Sequence, residues 1–204
     1  MAKEACVFLV PLLVLAAAAW AVGWVYPAIV LFGGAAFVAF FFRNPSRTIP
    51  GDPRLIVSPA DGKVIRVEPQ DEGTRISIFL SVFNVHINRA PIQGKITRLS
   101  HKKGRFYLAF DERASVENEQ VVFTIEGEHI VTFSLIAGLV ARRIVAWKRE
   151  GEMVSRGERI GLIRFGSRAD ILIPGDYDVR VTQGDKVRGG TSILASWREE
   201  DAGA

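Results

Sequence analysis

The first 42 residues constrain this chain most, because they are almost free of charge. Residues 5–22 and 24–42 are uninterrupted apolar runs, and the charged side chains before residue 43 are Lys3 and Glu4 alone. A helix of 18 or 19 residues is about 27–28 Å long, which just crosses a hydrocarbon layer of about 30 Å. This end of the chain therefore has the length and composition of a membrane anchor.

Gly23 separates the two apolar runs and predicts a turn between two helices. Aromatic residues suited to a membrane interface, and a proline, surround it: Trp20, Trp24, Tyr26 and Pro27. A helical hairpin follows, with both of its ends on one side of the membrane. Lys3 flanks one end, and Arg43 and Arg47 flank the other, whereas the turn carries no charge. The positive-inside rule then predicts that both ends are cytoplasmic.

Two other interpretations of this segment remain, a single tilted or re-entrant anchor and a cleaved signal peptide. The second apolar run and the acidic Glu4 argue against a signal peptide. Cys6 is the only cysteine, which excludes an internal disulfide framework and a cysteine-cluster zinc site. Its position near the membrane edge allows acylation, although a small buried hydrophobe is the commoner role.

Residues 43–204 carry the whole net charge of +4 and have the composition of a folded soluble domain. They are long enough to bury a core, so neither a pure membrane protein nor a disordered chain is expected. The positive charge fits nucleic acid or anionic lipid. A nucleic-acid module is the weaker interpretation, because no helix-turn-helix pattern and no basic patch interleaved with aromatic residues is found.

Short β-rich runs broken by Gly, Pro and Asp follow residue 47, about ten residues apart. This spacing predicts a mainly β domain, either a barrel or a sandwich. The predicted strands are residues 55–57, 62–68, 74–80, 94–99, 106–110, 120–126, 129–136, 143–147, 160–165, 170–174 and 177–182.

Residues 151–160 and 184–193 form a quasi-repeat, with glycine, acid, valine, glycine and isoleucine at the same offsets. Two such hairpins facing each other are typical of the barrel-sandwich fold of lipoyl and biotinyl carriers. A carrier presents a lysine between the two halves, whereas residues 165–168 contain none. The architecture is therefore predicted without the carrier function.

Three segments bring together an acid, an imidazole and a hydroxyl. Asp61 lies in a Pro/Asp/Gly turn at 58–62, His86 follows an apolar run, and Gly166-Ser167 is the only Gly-Ser step. Each alone fits a turn or a structural residue. Together they suit activation of a hydroxyl, in which a base takes the proton and a carboxylate orients the imidazole. With three histidines and one cysteine, a conventional metal site is not expected.

At these residues the sequence resembles the phosphatidylserine decarboxylases, specifically their short bacterial and archaeal branch. The ordered segments that carry the resemblance run through nearly the whole chain: residues 42–47, 58–62, 79–81, His86, Pro91, Gly94, Asn118-Glu119, Gly161 and 165–167.

The resemblance implies a pyruvoyl enzyme that makes its cofactor from its own backbone. The hydroxyl of Ser167 would attack the carbonyl of Gly166, and β-elimination would then split the chain. The products would be a β chain of residues 1–166 and an α chain of 167–204 that begins with a pyruvoyl group. That group would form a Schiff base with the substrate amine and act as the electron sink during loss of CO2, without a metal.

The resemblance also implies roles for three side chains. Asp61 matches the family's charge-relay carboxylate. His86 matches the first of two histidines that longer members place three residues apart, and Arg89 occupies the second position. Either His86 serves both self-cleavage and decarboxylation, or Arg89 stabilises an oxyanion or the substrate carboxylate while His86 moves protons. We favour His86 as the shared base.

The expected protein is thus a hairpin at 1–42 joined to a barrel-sandwich catalytic domain at 43–204. It would convert phosphatidylserine to phosphatidylethanolamine at the cell (inner) membrane, with the catalytic domain on the cytoplasmic side. The α and β chains would form a heterodimer or a higher oligomer, in contact with anionic lipid and not with nucleic acid. The alternatives are another serine-headed lipid, such as archaetidylserine, and a non-enzymatic membrane-tethered barrel-sandwich adaptor.

The stretch 101–105, His-Lys-Lys-Gly-Arg, is the most basic part of the domain. It has two equally good interpretations, a contact with lipid phosphate or an anionic membrane surface, and a solvated basic turn.

Overall fold

A computed structural model describes residues 3–105, 107, 113–138, 144–163 and 167–198. The chain divides into two compact units between Ser46 and Arg47.

The first unit is a pair of antiparallel helices. A short 3-10 turn at Lys3–Ala5 leads into α1 (Cys6–Ala21), and α2 follows at Val25–Phe41. Phe8, near the start of α1, stacks on Phe42, just after α2, with ring centroids 5.9 Å apart. Both ends of the pair therefore lie on the same side, and the two helices predicted from the apolar runs are confirmed.

The first of these helices is the better candidate for a membrane span. The helical stretch Lys3–Ala21 has 19 residues with a mean hydropathy of 2.1, which is long and apolar enough to cross a bilayer. Val25–Phe41 is apolar but shorter. Large apolar side chains of both helices, such as Val14 and Val30, are exposed. A helix that is apolar all round is suited to lipid.

The second unit is mainly β, as predicted. Eight strands form one antiparallel sheet in the spatial order β13-β2-β3-β11-β7-β6-β5-β9. In chain order these are β2 (Gly62–Gln70), β3 (Gly73–Leu80), β5 (Gly94–Lys102), β6 (Gln120–Glu126), β7 (Ile130–Ala137), β9 (Met153–Val154), β11 (Ser167–Pro174) and β13 (Lys186–Val187).

Among the described residues, two small antiparallel sheets and one helical turn accompany the large sheet. The sheets have the orders β1-β14-β12 and β4-β10-β8. Their strands are β1 (Leu55–Val57), β4 (Ile87–Arg89), β8 (Ile144–Ala146), β10 (Arg159–Ile163), β12 (Tyr177–Val179) and β14 (Ile193–Trp197), and the turn is α3 (Ala114–Glu117). The sequence did not predict β4, β9, β13 or β14. The predicted strand at 106–110 lies outside the described residues, except for residue 107.

Alternation along β11 separates the two faces of the large sheet. Ala169, Ile171 and Ile173 belong to the hydrophobic core, whereas Arg168 and Asp170 point to the opposite face, as expected for a period of two. Across the neighbouring strands of this core, Phe123 and Phe133 stack with centroids 5.1 Å apart.

The quasi-repeat forms equivalent structures at the two ends of the large sheet. β9 pairs with the start of β5, and β13 pairs in the same way with the start of β2. Gly151 N donates to the carbonyl of Ile96 at 2.7 Å, and Gly184 N donates to the carbonyl of Val64 at 2.8 Å. The sequence similarity therefore reflects two turns with the same main-chain hydrogen bonds.

Gly157 and Gly190, which occupy the same position in the two halves of the quasi-repeat, lie close together. Gly190 has φ +77°, in the left-handed region that favours glycine. A Cβ atom there would lie 2.8 Å from Cδ of Arg89, 3.1 Å from Cδ1 of Ile49 and 3.4 Å from Cα of Gly157. Position 190 therefore requires glycine for two reasons, its positive φ and the lack of room for a Cβ atom.

Gly190→Ala and Gly184→Ala separate these two requirements. Gly184 also has a positive φ, of +105°, but no described atom would lie within 4 Å of its Cβ. We expect Gly184→Ala to lower the free energy of unfolding by about 1 kcal/mol through backbone strain. Gly190→Ala should lower the free energy of unfolding by about 1–3 kcal/mol more than Gly184→Ala does, because Arg89 and Ile49 must move. Denaturant unfolding of both variants measures the difference, and equal losses would contradict the packing at position 190.

Candidate active site

Strand pairing places the loop 81–86 beside the start of β11. β3 and β11 pair with Leu80 opposite Ser167. β4 and β10 pair with Ile87 opposite Leu162. The loop, which joins β3 to β4, therefore runs from the residue paired with Ser167 to the residue paired with Leu162. His86, at the end of this loop, and Ser167 belong to two of the segments singled out by the sequence.

Ser167 begins a central strand of the large sheet. Leu80 of β3 lies on one side of it and Ala137 of β7 on the other. The residue is fully buried, and Oγ has no hydrogen-bond partner among the described residues. A buried hydroxyl without a partner is unfavourable, and such groups in native proteins call for a functional explanation. Gly166 lies outside the described residues.

His86 is fully buried at the end of the loop 81–86. Its carbonyl accepts a hydrogen bond from Ile163 N at 3.2 Å, which ties it to the last residue of β10. Nδ1 lies 3.0 Å from the carbonyl oxygen of Asn84. Because a carbonyl oxygen only accepts, Nδ1 carries the proton in this hydrogen bond, which leaves Nε2 as the nitrogen that can accept a proton.

Asn84 holds the loop in this conformation. Its Oδ1 accepts hydrogen bonds from Ser81 N at 2.9 Å and from Ser81 Oγ at 2.8 Å. Its own N–H donates to the carbonyl of Ser81 at 2.9 Å. No role for Asn84 was predicted from the sequence, although an Asn in a short loop is a known turn-forming signal.

Asp61 is held by an arginine and by the quasi-repeat. Nη2 of Arg47 donates to both carboxylate oxygens, at 2.9 and 2.7 Å, and Gly189 N donates to Oδ1 at 2.7 Å. Both side chains of this ion pair are nearly buried. The charge-relay role of Asp61 stays a prediction, since the described hydrogen bonds of its carboxylate go to Arg47 and Gly189. Arg47, expected only to flank the membrane, thus has a partner that the sequence did not reveal.

Arg89 lies close to the same turn. Its N–H donates to the carbonyl of Pro59 at 2.9 Å, and Nη1 donates to the carbonyl of Gly157 at 2.7 Å. Burial lowers the pKa of the guanidinium, and the positive charges of Arg47 and Arg159 lower it further, against the opposing effect of Asp61. Arg89 is therefore a half-buried cation fixed between the turn at 58–61 and the repeat glycine.

Two further side chains stabilise the strand ends around Ser167. Arg168 is 1% exposed. Its Nε donates to Oδ1 of Asp170 at 2.6 Å, and its Nη2 donates to Ser77 Oγ at 2.7 Å. Asn118 donates to the carbonyl of Ala137 at 2.8 Å, beside Ser167. The sequence predicted neither contact, because each joins residues that only the folded sheet brings together.

The three predicted segments thus meet at one edge of the large sheet. Asp61 precedes the start of β2, His86 follows the end of β3, and Ser167 begins β11. This arrangement offers a buried hydroxyl, a histidine whose Nδ1 bonds to a carbonyl and a half-buried cation. Such groups suit acyl transfer at a main-chain carbonyl.

The sequence matches the family described as phosphatidylserine decarboxylase over residues 35–195. A phosphatidylserine decarboxylase proenzyme of Solibacter usitatus is 49% identical over 178 residues, covering 87% of this chain and 86% of the relative. One from Syntrophus aciditrophicus is 47% identical over 171 residues, covering 79% and 80%. One from a Wolbachia of Brugia malayi is 40% identical over 213 residues, covering 98% and 92%.

Arg47→Met tests the ion pair with Asp61. Removal of the guanidinium leaves a carboxylate nearly buried without its partner, so the free energy of unfolding should fall by about 3 kcal/mol. Asp61→Asn in the same chain should recover part of this loss. Arg54→Met is the control, because Arg54 pairs with Asp52 at 3.2 Å on the surface and should contribute less than about 1 kcal/mol. Equal losses in denaturant unfolding for the two arginine variants would contradict the assignment.

Proposed function

Because this chain belongs to the phosphatidylserine decarboxylase family, whose members are carboxy-lyases, we propose that it converts phosphatidylserine to phosphatidylethanolamine and CO2. The cofactor is a pyruvoyl group made from Ser167 by cleavage of the Gly166–Ser167 bond. The observation that carries this proposal is the fully buried Ser167, whose Oγ has no described partner and which starts a central strand opposite the loop of His86.

Self-cleavage needs only this chain and water. A bond forms between Ser167 Oγ and the carbonyl carbon of Gly166, the peptide C–N bond breaks, and the hydroxyl proton passes to the nitrogen. Removal of the α-proton of residue 167 then breaks the Cβ–Oγ bond and releases Gly166 as a carboxylate. The dehydroalanine that remains takes up water, releases ammonia and leaves the ketone. The products are the β chain 1–166 and the α chain 167–204.

The residues at the edge of the sheet supply what these steps require. Glycine before the nucleophile has no Cβ, so its carbonyl can be approached and its backbone can adopt a strained conformation. His86, with its Nδ1 proton on the Asn84 carbonyl, can take the hydroxyl proton at Nε2. Arg89 can stabilise the oxyanion that develops on the attacked carbonyl.

The same groups serve decarboxylation after cleavage. The pyruvoyl ketone supplies an electrophile for the amine of the lipid head group and a sink for the electron pair left by CO2. His86 is the shared base and returns a proton to the product. Arg47 and Gly189 hold Asp61 in place, and Asp61 is the charge-relay carboxylate of this site.

A lipid substrate also accounts for the apolar first unit. Residues 1–42 anchor the enzyme to the cell (inner) membrane, and residues 43–204 form a catalytic domain on the cytoplasmic side. The cleaved α and β chains stay together, because β11 of the α chain pairs on both sides with strands of the β chain, β3 and β7. The match to the family over residues 35–195 includes Ser167 and both halves of the quasi-repeat, which disfavours a non-enzymatic adaptor.

Ser167→Ala should abolish self-cleavage and decarboxylation together. Denaturing electrophoresis should show one chain of 22.5 kDa for this variant and two chains for the parent, and CO2 release should be lost. Ser134→Ala is the matched control, since Ser134 is half-buried on β7, the other strand next to β11, and none of the hydrogen bonds among the described residues involves its side chain. The proposal is wrong if Ser167→Ala is processed as the parent is, or if both serine variants fail alike.

His86→Ala and Arg89→Ala distinguish the two assignments of the base. If His86 is the shared base, His86→Ala stays uncleaved, and added imidazole restores part of the cleavage. Arg89→Ala should still be cleaved, but at least about tenfold more slowly than the parent, as expected for the loss of one charged group that stabilises the oxyanion. Cleavage is followed by electrophoresis and turnover by CO2 release. Normal maturation and turnover of His86→Ala would refute its role.

A further inference from the structure

One edge of the large sheet gathers more than the candidate catalytic groups. β3, β7 and β5 end at this edge, and β2, β11 and β6 begin there. We name it the active-site edge, because Ser167 is the first residue of β11. Two surface features with no role in the chemistry above lie at the same edge, an exposed aromatic ring and a basic stretch.

The aromatic ring is Phe83, at the apex of the loop 81–86. It is 68% exposed, whereas Val85 and His86, a few residues on, are buried. The hydrogen bonds between Asn84 and Ser81 close the loop and therefore fix the direction of Phe83. Exposure of a large apolar side chain to water is unfavourable. Transfer of the exposed part of Phe83 into an apolar environment would therefore be favourable.

The basic stretch lies at the end of β5, four strands away from Leu80 in the sheet. At about 4.8 Å per strand this separation is about 19 Å, with Ser167 between the two features. Lys102, Lys103 and Arg105 are exposed. Glu117 lies 3.6 Å from Arg105, and Glu119 lies 3.1 Å from His101. None of the salt bridges among the described residues involves Lys103.

The path of the chain shows which partner this edge meets. Arg47, the first residue of the β unit, is bonded to Asp61 immediately before β2. The polypeptide therefore enters the β unit at the active-site edge. In the sequence, the apolar helix α2 ends only six residues earlier, at Phe41. An exposed aromatic ring, exposed lysines and a preceding apolar anchor together suit a phospholipid surface.

We propose that the active-site edge is a docking surface for an anionic phospholipid bilayer, with Phe83 in the interfacial region and Lys103 against lipid phosphates. Lipid head groups then face the site of Ser167 between these two contacts. The inference deepens the proposed function, since it describes how a lipid substrate is presented. Docking itself needs no turnover, and the two can therefore fail separately.

A fluorescent label tests the docking directly. The full chain carries Cys6→Ser, so that an environment-sensitive probe can be attached at Phe83→Cys or, as the control, at Met153→Cys. Met153 is equally exposed, at 69%, but pairs with Lys95 at the opposite edge of the sheet. The proteins are reconstituted in vesicles of phosphatidylethanolamine and phosphatidylglycerol, which contain no phosphatidylserine.

The probe at position 83 should be quenched by brominated acyl chains and protected from aqueous iodide, and the probe at position 153 should behave in the opposite way. Equal quenching at both positions would overturn the proposal. Protection of position 83 from iodide without quenching by brominated lipid would indicate a protein contact and would overturn it too.

Kinetics with charge and apolar variants give a second test. Phe83→Ser and Lys103→Glu should each raise the apparent KM for phosphatidylserine in anionic vesicles by about fivefold, with the extent of self-cleavage unchanged. Met153→Ser and Lys95→Glu, at the opposite edge, should leave KM as in the parent, and Phe83→Leu should restore most of the loss. Equal KM values for the two edges, whether raised or unchanged, would overturn the docking surface.

Discussion

The pairing of β11 between β3 and β7 is the constraint on which the site depends. The register that places Ser167 between Leu80 and Ala137 also directs Ala169, Ile171 and Ile173 into the core. Because side chains alternate along a strand, a slip of one residue would turn Arg168 and Asp170 into that core and Ser167 away from it. The same apolar alternation that stabilises the domain therefore fixes the position of the reactive hydroxyl.

Main-chain groups bind the polar side chains predicted for the site, and for Asp61 and Arg89 those groups belong to distant segments. Asp61 accepts from Gly189, Arg89 donates to Gly157, and His86 Nδ1 donates to Asn84. The two glycines belong to the second halves of the repeats, which close the two ends of the large sheet. The quasi-repeat thus does more than complete the architecture, because it supplies main-chain partners for Asp61 and Arg89.

Much of this organisation was accessible from the sequence, and the remainder depends on tertiary contacts. Long alternating strands such as β3, β6 and β7 were predicted within one residue or two, because their period of two is unambiguous. The two-residue strands β9 and β13 are too short for any period, and their pairing with β5 and β2 becomes visible only in the folded sheet. Ser167, His86 and Asp61 were found through motifs, whereas the Arg47–Asp61 pair and the Asn84 turn have no periodic signal. Gly166 and the adjoining residues lie outside the part of the chain that the structure describes.

The central claim is that residue 167 changes from an internal serine into the first, ketone-bearing residue of a separate chain. The accurate mass of the smaller fragment of the purified protein tests this most directly. We expect a fragment of residues 167–204 that is lighter by one ammonia than the same peptide with a free N-terminal serine, and that reacts with hydrazine. An intact chain, or a fragment that retains the N-terminal serine, would contradict it.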